Sequence, residues 1–235
     1  MATPILRAQL DVAAALVEAS AAFYGGRLGF QLSASDRERV VVEIGESQLA
    51  LHASKGAPFY HIALLVPGDR FDAALEWAGD RVALLPERET GELVFDFSFW
   101  DALACYFHDP AGTIVELIAH RGISETGATG PFRAEELLGL SEVGIVGDPS
   151  ADAPLLEREL GLEVWDGTVD GERSLAFVGE QARTLILCRA GRPWLPTGRP
   201  AEPWPVELVV AGEPAGEVAV GAGSHVRRGT AVQAS

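Results

Sequence analysis

The sequence predicts an α+β protein built by repeating one unit: a short strand, a helix, then two or three further strands. Three observations predict it. Apolar, β-branched runs begin at Ile5, His61 and Leu140, and each is followed by apolar residues at helical rather than alternating spacing. Leu28-Gly-Phe30 and Gly161-Leu-Glu-Val-Trp165 then lead from helix back to strand. The strand runs that follow are separated by short Gly-containing turns.

The first unit opens with a strand over Ile5–Val12. A helix follows from Asp11 or Val12 to Tyr24, with Val12, Leu16, Ala19 and Phe23 on one face and Asp11 as its N-cap. Gly25-Gly26 closes that helix, after which Arg27-Leu-Gly-Phe30 turns into a strand. Val40–Ile44 and Gln48–His52 form a hairpin across Gly45-Glu46-Ser47.

The second unit starts with the strand His61–Val66, then a helix marked by Phe71, Ala74, Leu75 and Ala78. Strands at Val94–Phe99, Ala104–Phe107 and Thr113–Ile118 complete it. Asp109-Pro-Ala-Gly112 is turn chemistry, since proline presets φ and glycine tolerates positive φ. Glu116 is the polar exception in an apolar closing strand, and a buried carboxylate there needs a partner.

A third unit has a strand at Leu140–Val146, a helix carrying Leu155, Leu156 and Leu160, and strands at Ser174–Val178 and Thr184–Cys188. Val206–Val210 starts a fourth, after which residues 211–235 show scattered valines and no helix. The Gly/Ser/Thr-rich Gly122–Pro131 reads as a linker. The divisions are therefore 1–122 for two modules, 123–136 for the linker, and 137–235 for the third module with a degenerate fourth. Arg189–Pro205, dense in Pro, Gly and Trp, reads as a packed loop; Trp194 and Trp204 are either core cover or part of a binding wall.

Composition narrows the function classes. The 235 residues carry a formal net charge of -16, which excludes a nucleic-acid backbone and an anionic membrane surface as expected partners. No apolar run is long enough to span a bilayer and no leader pattern opens the chain, so a cytoplasmic location is expected. The 2 cysteines, Cys105 and Cys188, stand far apart in apolar runs and read as buried thiols. There is no Gly-x-Ser-x-Gly elbow, no P-loop and no dinucleotide fingerprint in a strand-to-helix setting.

Ala22-Phe-Tyr-Gly-Gly-Arg-Leu-Gly-Phe30, His61-Ile-Ala-Leu64 and Phe107-His-Asp-Pro-Ala-Gly-Thr-Ile-Val-Glu116 resemble the vicinal oxygen chelate superfamily, which includes glyoxalase I, bleomycin-resistance proteins and extradiol dioxygenases. The resemblance covers Pro4 to about Arg121, and more weakly Leu137 to about Val210. It implies βαβββ modules, paired into cupped mixed sheets around one small-molecule site, here placed in the N-terminal pair. It further implies a divalent metal ion (Zn, Ni, Fe or Mn), with ligands from first and closing strands.

On that resemblance His61 takes a first-strand ligand position and Glu116 a closing-strand one. The matching slots of module one hold Arg7 or, one register away, Gln9, and Ala50 or His52. Arginine cannot bind a cation, so the implied metal set is His61, Glu116, His52 and Gln9, with Glu116 also moving a proton. Taken without the resemblance, His61 could equally be a hydrogen-bonded structural residue and Glu116 a solvent-facing one.

Two further function classes stay open beside a metal-dependent lyase or isomerase. One is a metal-free binding protein holding an apolar or cationic small molecule against Phe97, Phe99 and Trp100. The other is an extradiol-type dioxygenase, which needs two histidines and one carboxylate around iron(II). A homodimer is a further implied possibility, because modules of this kind pair across chains as well as within them.

Overall fold

The computed structural model describes residues 3–172 and 174–229. Module one comprises β1 (Ile5–Ala13), a helical segment centred on α1 (Val17–Ala21), then β2 (Gln31–Ser35), β3 (Arg39–Ile44) and β4 (Ser47–Ser54). Module two comprises β5 (His61–Val66), α2 (Phe71–Gly79), β6 (Phe95–Phe97), β7 (Ala102–His108) and β8 (Ile114–His120). Module three comprises β9 (Gly139–Val146), α3 (Pro149–Leu160), β10 (Val164–Thr168), β11 (Leu175–Glu180) and β12 (Arg183–Cys188). Module four has β13 (Val206–Ala211), β14 (Gly216–Val220) and β15 (Ser224–Gly229) and no helix among its described residues. The α+β class and the repeated strand–helix–strand module are thus as expected.

Each complete module repeats one pairing scheme. Its first strand runs parallel to its last, and the middle strands follow antiparallel, as β5–β8–β7–β6 shows. The modules do not pair in sequence order. β5 pairs antiparallel with β9, and β1 pairs antiparallel with β13. Module two therefore shares a cup with module three, and module one with module four. The expected pairing of modules one and two is corrected, and the boundary at 123–136 separates stretches of chain that share sheets across it. The two halves meet where Ile5 pairs with Leu140, in one sheet of 15 strands.

The linker explains the return. Asp69 accepts hydrogen bonds from the backbone N–H groups of Thr126 and Gly127. The buried Arg70 guanidinium reaches the carbonyls of Ala128 and Gly130 and the Glu136 carboxylate. These contacts pin the segment against the start of α2, so that β9 emerges beside β5. Residues predicted to form a passive linker carry the interaction that sets the module pairing.

Alternation divides the core into two layers. Ile62, Leu64 and Val66 of β5, with Val115 and Leu117 of β8, face the helices. Ala63, Ile114 and Ile118 face the inside of the cup with Phe95, Tyr106 and Phe177. Glu116 thus sits on the inner face between Ile114 and Ile118 and is buried, which settles its orientation against the solvent-facing alternative.

Several local expectations are corrected. β1 continues to Ala13, so Asp11 lies within the strand opposite His52, and its N–H is bonded by the Tyr60 hydroxyl rather than opening a helix. The helical segment ends in a wide turn, Ala22–Arg27, that takes Gly25 and Gly26 inside it; Gly29, at φ 82°, makes the exit. The run at Val94–Phe99 is strand only over Phe95–Phe97, and Ser98–Trp100 is a short 3-10 turn closed by Asp101 at φ 52°. The tail read as patternless folds into β14 and β15, burying Val218, Val220 and Val226 on alternate positions. The last residues of that stretch, 230–235, lie outside the described residues. Cys105 and Cys188 are both free and buried, as expected, and burial pushes both thiols up to about 12.

The Asp109–Gly112 turn forms as the sequence predicts, with the Gly112 N–H donating to the Asp109 carbonyl and Gly112 at φ 79°. Asp109 Oδ1 accepts from the N–H groups of Ala111 and Thr113, and Oδ2 accepts from the Tyr24 hydroxyl. Burial nonetheless lifts this carboxyl to about 6, against 3.8 unperturbed. The native state therefore binds a proton that the unfolded chain has already released between those values, and stability falls as pH rises through that window. At about 1.4 kcal/mol per unit, the ionised carboxylate costs on the order of 3 kcal/mol above pH 7. Asp109→Asn keeps the Oδ1 acceptor. We expect it to be more stable than the parent at pH 7.5, with the difference shrinking towards pH 4 in urea unfolding curves. An advantage independent of pH would contradict this assignment.

Candidate metal centre

The floor of the cup between modules two and three holds three ionisable groups. His61 opens β5, Glu116 sits mid-strand in β8, and Glu142 lies in β9 directly opposite Ala63. His61 Nε2 is 3.4 Å from Glu116 Oε2 and 3.9 Å from Glu142 Oε2. These are ion-pair separations rather than tight hydrogen bonds. One donor atom from each residue falls within 4.8 Å of the others, and all three side chains are buried. An imidazole nitrogen with two carboxylate oxygens at that spacing fits a divalent cation, whose bonds to such ligands are about 2.0–2.2 Å.

The electrostatics are those of a site that favours positive charge. Burial alone would push His61 down, but its contacts with Glu116 and Glu142 and their charges outweigh that and raise it to about 9. Burial, followed by the charge of Glu116, raises Glu142 despite the opposing pull of His61. Burial and the two carboxylates hold the Tyr106 hydroxyl well above its usual range. The His61 ring stacks on Trp194, with centroids 5.0 Å apart, and its Nδ1 has no hydrogen-bond partner. Stacking, rather than a second hydrogen bond, orients the imidazole.

Above this floor lies a hollow of about 340 Å³, large enough for a small organic molecule. Its walls are mostly aromatic. Phe97, Phe99 and Trp100 come from the β6–β7 hairpin, Tyr106 from β7, Phe177 from β11, and Trp194 from the loop after β12. Trp100 joins the two modules: its indole N–H donates to Asp166 Oδ2 at 2.5 Å and its ring meets Phe177 edge-on at 4.5 Å. Phe99 is 71% exposed at the mouth. Arg192 and Asp166 are the charged groups of the upper wall.

The structure thus brings His61 and Glu116 together and places Phe97, Phe99 and Trp100 around them. It does not bring Gln9 or His52 there. Those two line a second hollow, between modules one and four, because module one pairs with module four. His120 continues the inner face of β8 but engages Gln181 at 3.4 Å instead of joining the cluster. Trp194 is wall; Trp204 donates to Glu202 elsewhere. The residue that sequence reasoning missed is Glu142. Its signal was the one that singled out Glu116: a lone carboxylate in a strand whose every residue is buried.

The fold can now be compared with known structures. The chain aligns with glyoxalase I from Zea mays over 97% of its own length and 92% of that chain, with TM-score 0.53 and 15% identity. A mutant of glyoxalase I from Zea mays aligns at TM-score 0.58, 14% identity, and 97% and 93% coverage. The chain therefore has the fold of glyoxalase I. A candidate dioxygenase from Bacillus subtilis strain 168 also shares it, at TM-score 0.57 and 15% identity over 96% of this chain and 84% of that one. No family model and no curated protein matches the sequence. Among the described residues, no helix is long and apolar enough to cross a membrane.

Proposed function

We propose that the chain is a metal-dependent lyase or isomerase acting on a small, largely apolar molecule with adjacent oxygens. The observation that supports this most is the convergence of His61, Glu116 and Glu142 on the floor of an aromatic hollow. These residues would hold one divalent cation, and β12 contributes the apolar Ile186 to the wall. A bound cation would act as a Lewis acid on the substrate's oxygens, with coordination positions left open for them.

The chain's own groups supply the remainder. The aromatic walls exclude water and hold a planar or apolar body by stacking. Glu116 sits nearest His61 and faces the same hollow as Tyr106. Glu142 is the carboxylate whose proton affinity is raised, by burial and by Glu116. Glu142 would take a proton from the carbon beside the substrate's carbonyl and return it to the neighbouring atom. This assigns the proton transfer to Glu142 and leaves Glu116 as ligand and neighbour, in place of the role expected for Glu116. The site belongs to modules two and three rather than to the N-terminal pair.

A second reading is metal-free sequestration of an apolar or cationic ligand. The ion pair of His61 with its two carboxylates favours it, because that pairing satisfies the buried charges without a cation. The dioxygenase reading is the weakest, since it needs two imidazoles and one carboxylate and the cluster holds the opposite proportion. Elemental analysis of protein purified without chelators separates the first two. About one equivalent of a single divalent metal, removable by a chelator and restored with a rise in thermal midpoint, supports the enzyme. Substoichiometric metal whose addition leaves the midpoint unchanged supports sequestration.

A further inference from the structure

The pairing of modules one and four builds a second cup by the same rules as the first. In the first cup His61 pairs with Ile114, and Ala63 pairs with Glu116 on one side and Glu142 on the other. In the second, Arg7 pairs with Gln48, and Gln9 pairs with Ala50 on one side and Glu207 on the other. Arg7 therefore holds the place of His61, Ala50 that of Glu116, and Glu207 that of Glu142. Two of three cation donors are gone, and a guanidinium stands where the imidazole ligand would be. A guanidinium repels a cation and offers a planar fork of donors to an oxyanion.

The surroundings extend that exchange. The second hollow is about 580 Å³ and is lined by three arginines, Arg7, Arg39 and Arg227, against two carboxylates, Glu207 and Glu217. One carboxylate and one arginine are engaged: Glu217 Oε1 is 3.4 Å from His225 Nδ1, and Arg39 Nε is 3.9 Å from Asp36 Oδ2. This positive balance is local to a chain of formal net charge -16. Neither Arg7 nor Arg227 is in an ion pair among the described residues, whereas Arg70, Arg121, Arg158 and Arg183 each have one. His52 Nε2 is buried at the same hollow without a hydrogen-bond partner. Burial first, and then the charges of Arg7 and Arg39, hold that imidazole down against the opposing charges of Asp11 and Glu207.

The geometry points to a second small-molecule site, between modules one and four, that takes an organic or inorganic oxyanion (a carboxylate or a phosphate) without a metal, with Arg7 as its anchor. This site stands independently of the function proposed for modules two and three. One scaffold thus carries two cups of opposite electrostatic character, one suited to a cation and one to an anion.

The test is isothermal titration of the full-length protein with inorganic phosphate and with succinate, at constant ionic strength. The expected result is saturable binding of at least one anion at one equivalent. It should weaken on the order of tenfold or more in Arg7→Ala and in Arg227→Ala, as expected for a lost charge-assisted hydrogen bond. Arg7→Lys should fall between, and Arg158→Ala, which removes an exposed arginine of α3 outside the hollow, should bind as the parent does. Circular dichroism identifies any variant that fails to fold; Arg227 is exposed, so its variant carries the test if Arg7→Ala does not fold. No saturable binding of either anion, binding that survives both arginine changes, or binding lost equally in Arg158→Ala would each overturn the assignment.

Discussion

Replacing His61 with alanine should reduce bound metal from about one equivalent to a trace and lower divalent-cation affinity by at least two orders of magnitude. The expectation rests on the size of the donor set. Three groups converge, and removal of the imidazole leaves only two donors for the cation. Even loss of an outer partner of a ligand costs about 10–100-fold in affinity, so loss of a ligand itself should exceed that. A second consequence separates this from simple damage. In metal-free protein the variant leaves Glu116 and Glu142 buried without their cationic neighbour, a situation that costs about 3–5 kcal/mol when a buried pair is broken. Metal-free His61→Ala should therefore melt well below the metal-free parent and regain stability as acid protonates one carboxylate. Inductively coupled plasma analysis and calorimetry read the two effects. Parent-like metal content in the variant would remove His61 from the site.

Much of this architecture is written locally in the chain. The repeated module is legible because each first strand alternates between helix-facing and cup-facing residues, as Ile62, Leu64 and Val66 do against Ala63. The turns at Gly45 and Asp109–Gly112 are legible because their chemistry is confined to a few residues. Module pairing is not local. β1, β5, β9 and β13 all present an unpaired edge and a buried face, and periodicity cannot say which edge meets which. That choice is made by Asp69 and Arg70 gripping the segment 126–136, contacts between residues about 60 positions apart. The site predictions divide along the same line. His61 and Glu116 lie in one module and were found together. Glu142 lies across the module boundary. Gln9 and His52 were misplaced because their module turns towards β13 instead of β5. Ser98 and Phe99 read as the end of a strand because the aromatic run continues through them; they turn instead, into the left-handed Asp101.

The sharpest division of labour within the cluster concerns its two carboxylates. Glu142→Gln should lower kcat by about 10²–10⁴-fold, the usual worth of a positioned general base, with KM little changed. The amide oxygen still reaches the floor of the cup, so metal should be retained at saturating concentration while the proton acceptor is lost. Glu116→Gln should behave differently. Glu116 holds the carboxylate oxygen nearer to His61, at 3.4 Å against 3.9 Å for Glu142. Its neutral replacement weakens the ligand and removes the charge that helps raise Glu142, so metal affinity should fall and the pH profile of any remaining turnover should shift to lower pH. Exchange of the substrate's carbon-bound hydrogen for solvent deuterium, followed by NMR at saturating metal, distinguishes the cases. Exchange should disappear in Glu142→Gln and persist at a reduced rate in Glu116→Gln. The reverse pattern would give the base to Glu116 and leave Glu142 as a ligand alone. Equal loss in both would mean that the two carboxylates share one proton and act as a unit, as closely coupled acids do.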